Sequence, residues 1–209
     1  MKLYNSIGPN PHVVRMFLAE KAIDIPLVAI DLRGGENRRE PYLAKNPAGQ
    51  LPALELDDGR VVSEITVICE YLDEIYPSPP LIGTTPEERA NTRMWVRRID
   101  LNICEPMTSG FRYSEGLRLF EKRMRCIPQA AGDLKAIAAE KLAWLDGLVA
   151  GRPFIAGDRF TLADILLFCF VEFGDTVGQS LDPSNAALTA WRERTKARPS
   201  VAASAPSPR

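Results

Sequence analysis

Apolar positions change their period along the chain. Up to about Tyr76, short apolar runs are interleaved with stretches of helical spacing; beyond about Glu87 only the helical spacing persists. Lys2 to Ser6 reads as a short strand and Ile25 to Leu32, mostly apolar, as a second. Between them Val13, Val14, Phe17 and Leu18 share one face of a helix from about Pro11 to Ala22. Asn10 followed by Pro11 is a start signal, a capping side chain ahead of a proline at the first helical position. Strand, helix, strand at this spacing predicts a βαβ unit with parallel strands. Arg33 to Lys45 is polar, with a short helix near Tyr42.

The stretch Asn46 to Tyr76, NPAGQLPALELDDGRVVSEITVICEYLDEIY, reads as loop, strand, tight turn, strand, helix. Pro52 opens an apolar run, the place in a strand where a missing N–H does least harm. Asp58-Gly59 between β-forming residues is a hairpin signal. Ile65, Ile68, Cys69, Leu72, Ile75 and Tyr76 then recur at spacings of three and four, one helical face that Pro77 ends. The order of elements over the first 76 residues is β-α-β-α-β-β-α, a thioredoxin-like order.

Pro77 to Pro86, PSPPLIGTTP, is a linker by composition. A long helix follows from Glu87 to about Tyr113, with Trp95, Ile99, Ile103 and Met107 four apart. Shorter helices are expected at Leu117–Cys126, Gln129 to about Val149, Leu162 to about Phe173, and Ser184–Lys196. The helix from Leu162 is the most apolar and is expected at the centre of its domain. Thr161 and Asp164 form a T-x-x-D capping pattern at its start, with Phe160 and Leu166 placed for a hydrophobic staple. Asp164 is therefore read as a cap rather than a catalytic acid. The tail ARPSVAASAPSPR is poor in structure-forming residues and is expected to fray. The domains expected are 1–76, a linker at 77–86, an all-helical domain at 87–200 and a tail at 201–209. The fold class is α/β plus all-α: an N-terminal thioredoxin-like βαβαββα domain and a C-terminal helical bundle.

Composition narrows the function classes. The 209 residues are 45% hydrophobic and 25% charged, ordinary for a globular chain, and the net charge of −1 invites neither nucleic acid nor an anionic membrane. No apolar run approaches the roughly 20 residues of a membrane span. MKLYNSIGPN lacks the apolar core of a signal peptide, so a cytoplasmic location is expected. Cys69, Cys104, Cys126 and Cys169 form no C-x-x-C, and zinc spacing is absent beside a single histidine, His12. They read as mostly buried thiols. No cysteine stands at the start of the first helix, which excludes a dithiol oxidoreductase of the thioredoxin kind.

Two features around Pro52 carry candidate chemistry. A cis Leu51-Pro52 bond turns the N–H and C=O of Leu51 outward toward an extended ligand. Ser63-Glu64 stands at the start of a helix, where free N–H groups and the helix dipole favour an anion; the alternative is that Ser63 is only an N-cap.

NPAGQLPALELDDGRVVSEITVICEYLDEIYP resembles the glutathione-binding half of a cytosolic glutathione transferase, which reads NPxGxVPxL, a hairpin, then ES and a helix ending in YL. FIAGDRFTLADILLF resembles the capping-box segment of that family's helical domain, and LTAWRERTKARPSV its last helix. The resemblance implies a cis proline at Pro52, with the Leu51 backbone pairing to the cysteinyl part of glutathione. Glu64 and Ile65 would then hold the γ-glutamyl carboxylate. Ile65 departs from the pattern, since the family places Ser there. Its backbone N–H can still serve, and Thr66 or Ser63 is left to supply a hydroxyl.

Within that resemblance the protein uses glutathione as co-substrate, brings its thiol toward thiolate, and directs it at an apolar electrophile in detoxification. The donor to sulfur comes from Tyr4, Asn5, Ser6 or Asn10. GPNPHVVRMFLAEK resembles the helix start of bacterial Nu-class and yeast-prion-like transferases, which carry Asn at this position, although Pro11 replaces their Gly. Asn10 is preferred: its oxygen can cap the helix while its NH₂ donates to sulfur. Ser6 is the second candidate; Tyr4 is expected to pack within the strand and His12 to lie at the surface or rim. Lys45 and Gln50 are candidate partners for the glycyl carboxylate or the backbone of glutathione. Met107, Phe111 and Tyr113 are candidates for the lining of the second-substrate pocket, expected between the domains. A homodimer is implied across the third helix and the long helix. Glutathione-dependent disulfide or peroxide reduction, and a non-catalytic ligand-binding module, stand as alternatives.

Overall fold

The computed structural model describes residues 1–205. They form two compact units, Met1–Leu81 joined by the C-terminal residues from Arg198, and Ile82–Ala197.

The first unit carries a four-stranded sheet in the order β2-β1-β3-β4, made by Lys2–Asn5 (β1), Leu27–Ala29 (β2), Ala53–Glu55 (β3) and Val61–Ser63 (β4). β1 and β2 are parallel across the helix α1 (Pro9–Glu20), as expected of a βαβ unit. β3 is antiparallel to both β1 and β4. β2 is shorter than its apolar run suggests. Side chains alternate along β1. Leu3 belongs to a core with Val13, Val14, Phe17, Leu54, Ile68 and Leu72, all completely buried. Tyr4 belongs to a second cluster with Ile30, Tyr42, Leu51 and Ala53. Tyr42 opens the short helix α2 (Tyr42–Lys45). The third helix, α3 (Ile65–Ile75), packs beside α1.

Two helix starts differ from expectation. α1 begins at Pro9, so Gly8 is its N-cap and Asn10 lies inside the first turn; no side chain caps it. Gly8 adopts φ +110°, a conformation natural to glycine, and Pro9 brings a preset helical φ. Ser63 is not the cap of α3 either. It pairs with Ala53 at the end of β4, and Glu64 takes the N-cap position.

The second unit is helical: α4 (Pro86–Ile99), α5 (Glu105–Arg112), α6 (Leu117–Phe120), α7 (Ala131–Val149), α8 (Leu162–Thr176) and α9 (Ala186–Lys196). α4 opens on Thr85, whose hydroxyl accepts from the Glu88 N–H. The expected long helix is continuous but widens into a π turn over Asp100–Cys104, where the Glu105 N–H reaches the Asp100 carbonyl. Pro106 explains this: it lacks an N–H and its ring collides with the carbonyl of Asn102, so the helix expands by one residue. α6 ends six residues earlier than expected. Further on Ile127, kept out of the helical region by Pro128, precedes the next helical turn. α8 buries Leu162 through Val171 without a break. The capping box is present, with Asp164 accepting from the Thr161 N–H at 2.9 Å. Asp164 also accepts from the Ile155 N–H and from Trp191 Nε1, both at 2.9 Å.

The expectation that the tail frays is corrected. Pro199–Ser204 form a helix, α10, packed on α1. The small side chains of Ser200 and Ser204, the buried residues of this helix, permit that close approach. Residues 206–209 of the expected tail lie outside the described residues. Among the described residues no helix is long and apolar enough to cross a membrane. Cys69, Cys104 and Cys169 are buried and Cys126 half-buried; none of the four is in a disulfide.

Candidate functional site

The ladder registers place three segments side by side. Tyr4 pairs with Ala53, and Ala53 with Ser63. One step beyond that row come the β1–α1 turn, the Leu51-Pro52 bond and the Glu64 cap of α3. Strands are spaced about 4.8 Å apart, so three stations on adjacent strands span about 10 Å. That is the length of about three residues of extended peptide.

Each station offers polar groups. The Leu51-Pro52 bond is cis. Among the described residues neither the N–H nor the carbonyl of Leu51 has a hydrogen-bond partner within the chain. The loop leading to it is built rigidly. Tyr42 Oη and Asn46 Nδ2 donate to the Gln50 carbonyl at 2.6 and 3.0 Å, and Asn37 Nδ2 donates to the Gly49 carbonyl at 2.6 Å. Burial pushes the Tyr42 hydroxyl up to about 12, so it stays a proton donor. Gly49 is required: φ is +60° and a Cβ would lie 2.9 Å from the Asn37 carbonyl.

Glu64 has φ +68° and ψ +121°, a conformation costly for a side chain other than glycine. Its carboxylate is exposed. α3 begins with no capping side chain, which leaves the N–H groups of Ile65 and Thr66 at the positive end of the helix dipole. Ile65 and Thr66 are both half-buried there.

At the third station, Asn10 is half-buried, and among the described residues its amide has no side-chain hydrogen bond. It does not cap α1, so the capping half of the double role expected for it is not found. Ser6 Oγ already donates to the Ile30 carbonyl at 2.9 Å. Tyr4 packs within the sheet as expected, its hydroxyl donating to Glu55 at 2.5 Å. His12 Nε2 lies 3.2 Å from Ser204 Oγ. Arg15, which sequence reasoning passed over, donates from Nη1 to Asn5 Oδ1 at 2.8 Å and to the Ser6 carbonyl at 3.2 Å. Its signal was a guanidinium amid the apolar run VVRMF.

The other expected residues divide. Gln50 lies at the Leu51 station with an exposed side chain. Lys45 is drawn elsewhere: its Nζ is 2.9 Å from Glu55, which pairs with Lys2 at the opposite end of the ladder. Hydrogen bonds from Tyr4, Lys45 and Lys2 hold the Glu55 carboxyl down at about 2. In the second unit Met107 is 1% exposed and belongs to the core. Phe111 and Tyr113 are half-buried, Phe111 edge-on to Phe120 and Phe173 at 6.0 and 5.2 Å.

Residues 7–75 match the family model described as glutathione S-transferase, N-terminal domain, and residues 112–197 the model for the C-terminal domain. Glutathione S-transferase 2 of Saccharomyces cerevisiae is 34% identical over 201 residues, covering 93% of this chain and 84% of that protein. A glutathione S-transferase domain-containing protein of Marinobacter aquaeolei superposes with a TM-score of 0.91 at 36% identity, over 96% of this chain and all of that one. The crystal structure of Gtt2 from Saccharomyces cerevisiae gives 0.92 at 33% identity, over 98% of this chain and all of that one.

Proposed function

Because the chain belongs to the glutathione S-transferase family, we propose that it is a glutathione transferase, and that the row of three stations holds the extended tripeptide. The observation that carries the reading is the row itself: the Leu51 N–H and carbonyl, without a partner among the described residues, stand between the uncapped start of α3 and the turn that opens α1. The Leu51 N–H and carbonyl pair with the backbone of the cysteinyl residue. The N–H groups of Ile65 and Thr66 take the γ-glutamyl α-carboxylate, an anion suited to a helix start. Glu64, itself an anion, takes the neighbouring α-ammonium. Ile65 needs only its N–H for this, so the missing hydroxyl at that position is tolerated. Gln50 serves the glycyl end.

The cysteinyl sulfur then lies at the start of α1. The Asn10 amide donates to it, and the start of α1, where Asn10 keeps a backbone N–H between Pro9 and Pro11, adds the positive end of the helix dipole. Both favour thiolate over thiol. The thiol proton passes to solvent. The thiolate attacks an electrophilic carbon of a mainly apolar substrate, a C–S bond forms, and the electron pair departs with the leaving group. Ser6 is the weaker candidate because its hydroxyl proton is committed to Ile30. Phe111 and Tyr113 are the proposed contacts of the electrophile, with Met107 behind them. The chain acts as a homodimer; exposed Val67, Ile75 and Tyr76 on or at the end of α3, and Met94 on α4, supply apolar surface for it.

The test is calorimetric titration with reduced and then oxidised glutathione. Reduced glutathione is expected to bind with a Kd between about 1 μM and about 1 mM, the usual span of enzyme–substrate affinities. No binding of either form would sink the reading.

A further inference from the structure

Arg15 is 9% exposed within a stretch of α1 that also buries Val13, Val14, Met16, Phe17 and Leu18 on all sides of the helix. A guanidinium taken from water must find acceptors for its donors. Two are in the β1–α1 turn, Asn5 Oδ1 and the Ser6 carbonyl. A third is the carbonyl of Ser204, 3.0 Å from Nε and 189 residues away in sequence. His12, one turn nearer the start of α1, meets Ser204 Oγ. At the other end of the same packing, Arg198 donates to both Glu20 oxygens at 2.7 Å, and the Ser200 hydroxyl donates to Glu20 as well. α10 is thus fastened to both ends of α1. A six-residue helix has almost no stability of its own, so these contacts are what keep it there.

We propose that α10 is a positioning element for the thiol-activating turn, acting through Arg15. The guanidinium is a planar fork with donors in fixed directions. Held at Nε by the end of α10, it presents Nη1 to Asn5 and Ser6, and so sets the path of the backbone between β1 and α1. That path sets where the Asn10 amide and the Asn10 backbone N–H point relative to Leu51. Arg15 is a positioning residue, not a catalytic one. The inference rests on the proposed site at Asn10, Leu51 and Glu64.

The test compares wild type with a chain ended after Ala203, with Arg15→Gln and Arg15→Lys, and with Glu20→Gln, which loosens α10 at the end remote from the turn. Three quantities are read: the pKa of bound glutathione from thiolate absorbance, kcat and KM against pH, and the thermal midpoint. In wild type the bound thiol titrates below free glutathione. Ending the chain after Ala203, or Arg15→Gln, is expected to raise that pKa by about one unit, lowering kcat about tenfold at about pH 6.5. KM for glutathione should change less than about threefold, since the Leu51 and Glu64 stations are untouched. Arg15→Lys, which keeps the charge but not the fork, recovers part of the loss. Glu20→Gln lowers the thermal midpoint and leaves the thiol pKa in place. A shortened chain that folds, binds glutathione and keeps the wild-type thiol pKa overturns this proposal alone. Absence of glutathione binding in wild type overturns it together with the function it rests on. If Arg15→Gln does not fold, the shortened chain and Arg15→Lys decide.

Discussion

Asn10 and Ser6 stand four residues apart on one turn and differ in what their donors already do. The Ser6 hydroxyl is committed to Ile30, whereas the Asn10 amide is uncommitted among the described residues. Asn10→Ala is therefore expected to raise the pKa of bound thiol by about one unit and so to lower turnover about tenfold below neutral pH. Ser6→Ala should lower it less than about twofold. An unchanged pH profile in Asn10→Ala removes that residue from the role. Asp164 poses a different question at the same scale. Burial pushes its carboxyl from 3.8 up to about 6, against the pull of donors from Ile155, Trp191 and Thr161. The folded state thus holds this proton more tightly than the unfolded chain. The stability that follows is full below about pH 4 and is lost as pH rises through about 6. Asp164→Asn removes that dependence and leaves one N–H short of an acceptor, at a cost of about 2–4 kcal/mol. Urea titrations should find the gap to wild type largest near pH 4 and smaller near pH 7; a gap that widens with pH would show that the network favours the carboxylate.

Among elements, the ends of α1 and α3 are coupled by a buried ion pair. Lys21 Nζ is 2.7 Å from Asp73 Oδ1, with the lysine side chain completely buried. Lys21 also donates to the carbonyls of Tyr76 and Pro79, and Asp73 accepts from the Leu81 N–H. The pair ties two helices to the chain that leaves the unit. Removing one partner strands the other in a dry site, so Asp73→Asn should cost about 3 kcal/mol in guanidinium unfolding. A cost below about 1 kcal/mol would mean that water reaches the pair. Element boundaries were legible wherever a local signal was complete: the Asp58-Gly59 hairpin, the Thr161–Asp164 box, the Pro52 strand start. They were misjudged where two signals competed. Both Pro9 and Pro11 can open a helix, and Gly8 decided in favour of the first. Pro106 was hidden inside a strong apolar periodicity, which survived at the expense of one widened turn.

For the whole molecule, the apolar surface on α3 and α4 leads to one prediction. Light scattering at micromolar concentration should return twice the mass of the single chain, and charged substitutions at Val67 or Met94 should shift it toward the monomer. A mass of one chain at all concentrations would reject the dimer. The tail shows how a chain-wide decision escapes local reading. ARPSVAASAPSPR has no apolar stripe, yet Pro199–Ser204 is a helix, because Arg198, Ser200 and Ser204 find Glu20, His12 and Arg15 on α1. Nothing within the tail announces partners nearly 190 residues away.

The sequence by itself determined the order of elements, the parallel βαβ start, the hairpin and the all-helical second half. Those follow from interactions between residues a few positions apart, which a pattern of spacing records. Tertiary structure alone decided which candidates stand together. Strand register set the turn after β1, the Leu51-Pro52 bond and Glu64 side by side. Glu55 drew Lys45 to the far end of the ladder, and Ile30 took the Ser6 proton. Burial placed Met107 in the core, and Arg15 joined the turn before α1 to Ser204 of α10. Each is a competition for a hydrogen bond or for burial between segments far apart in sequence, and only the folded chain brings the competitors together.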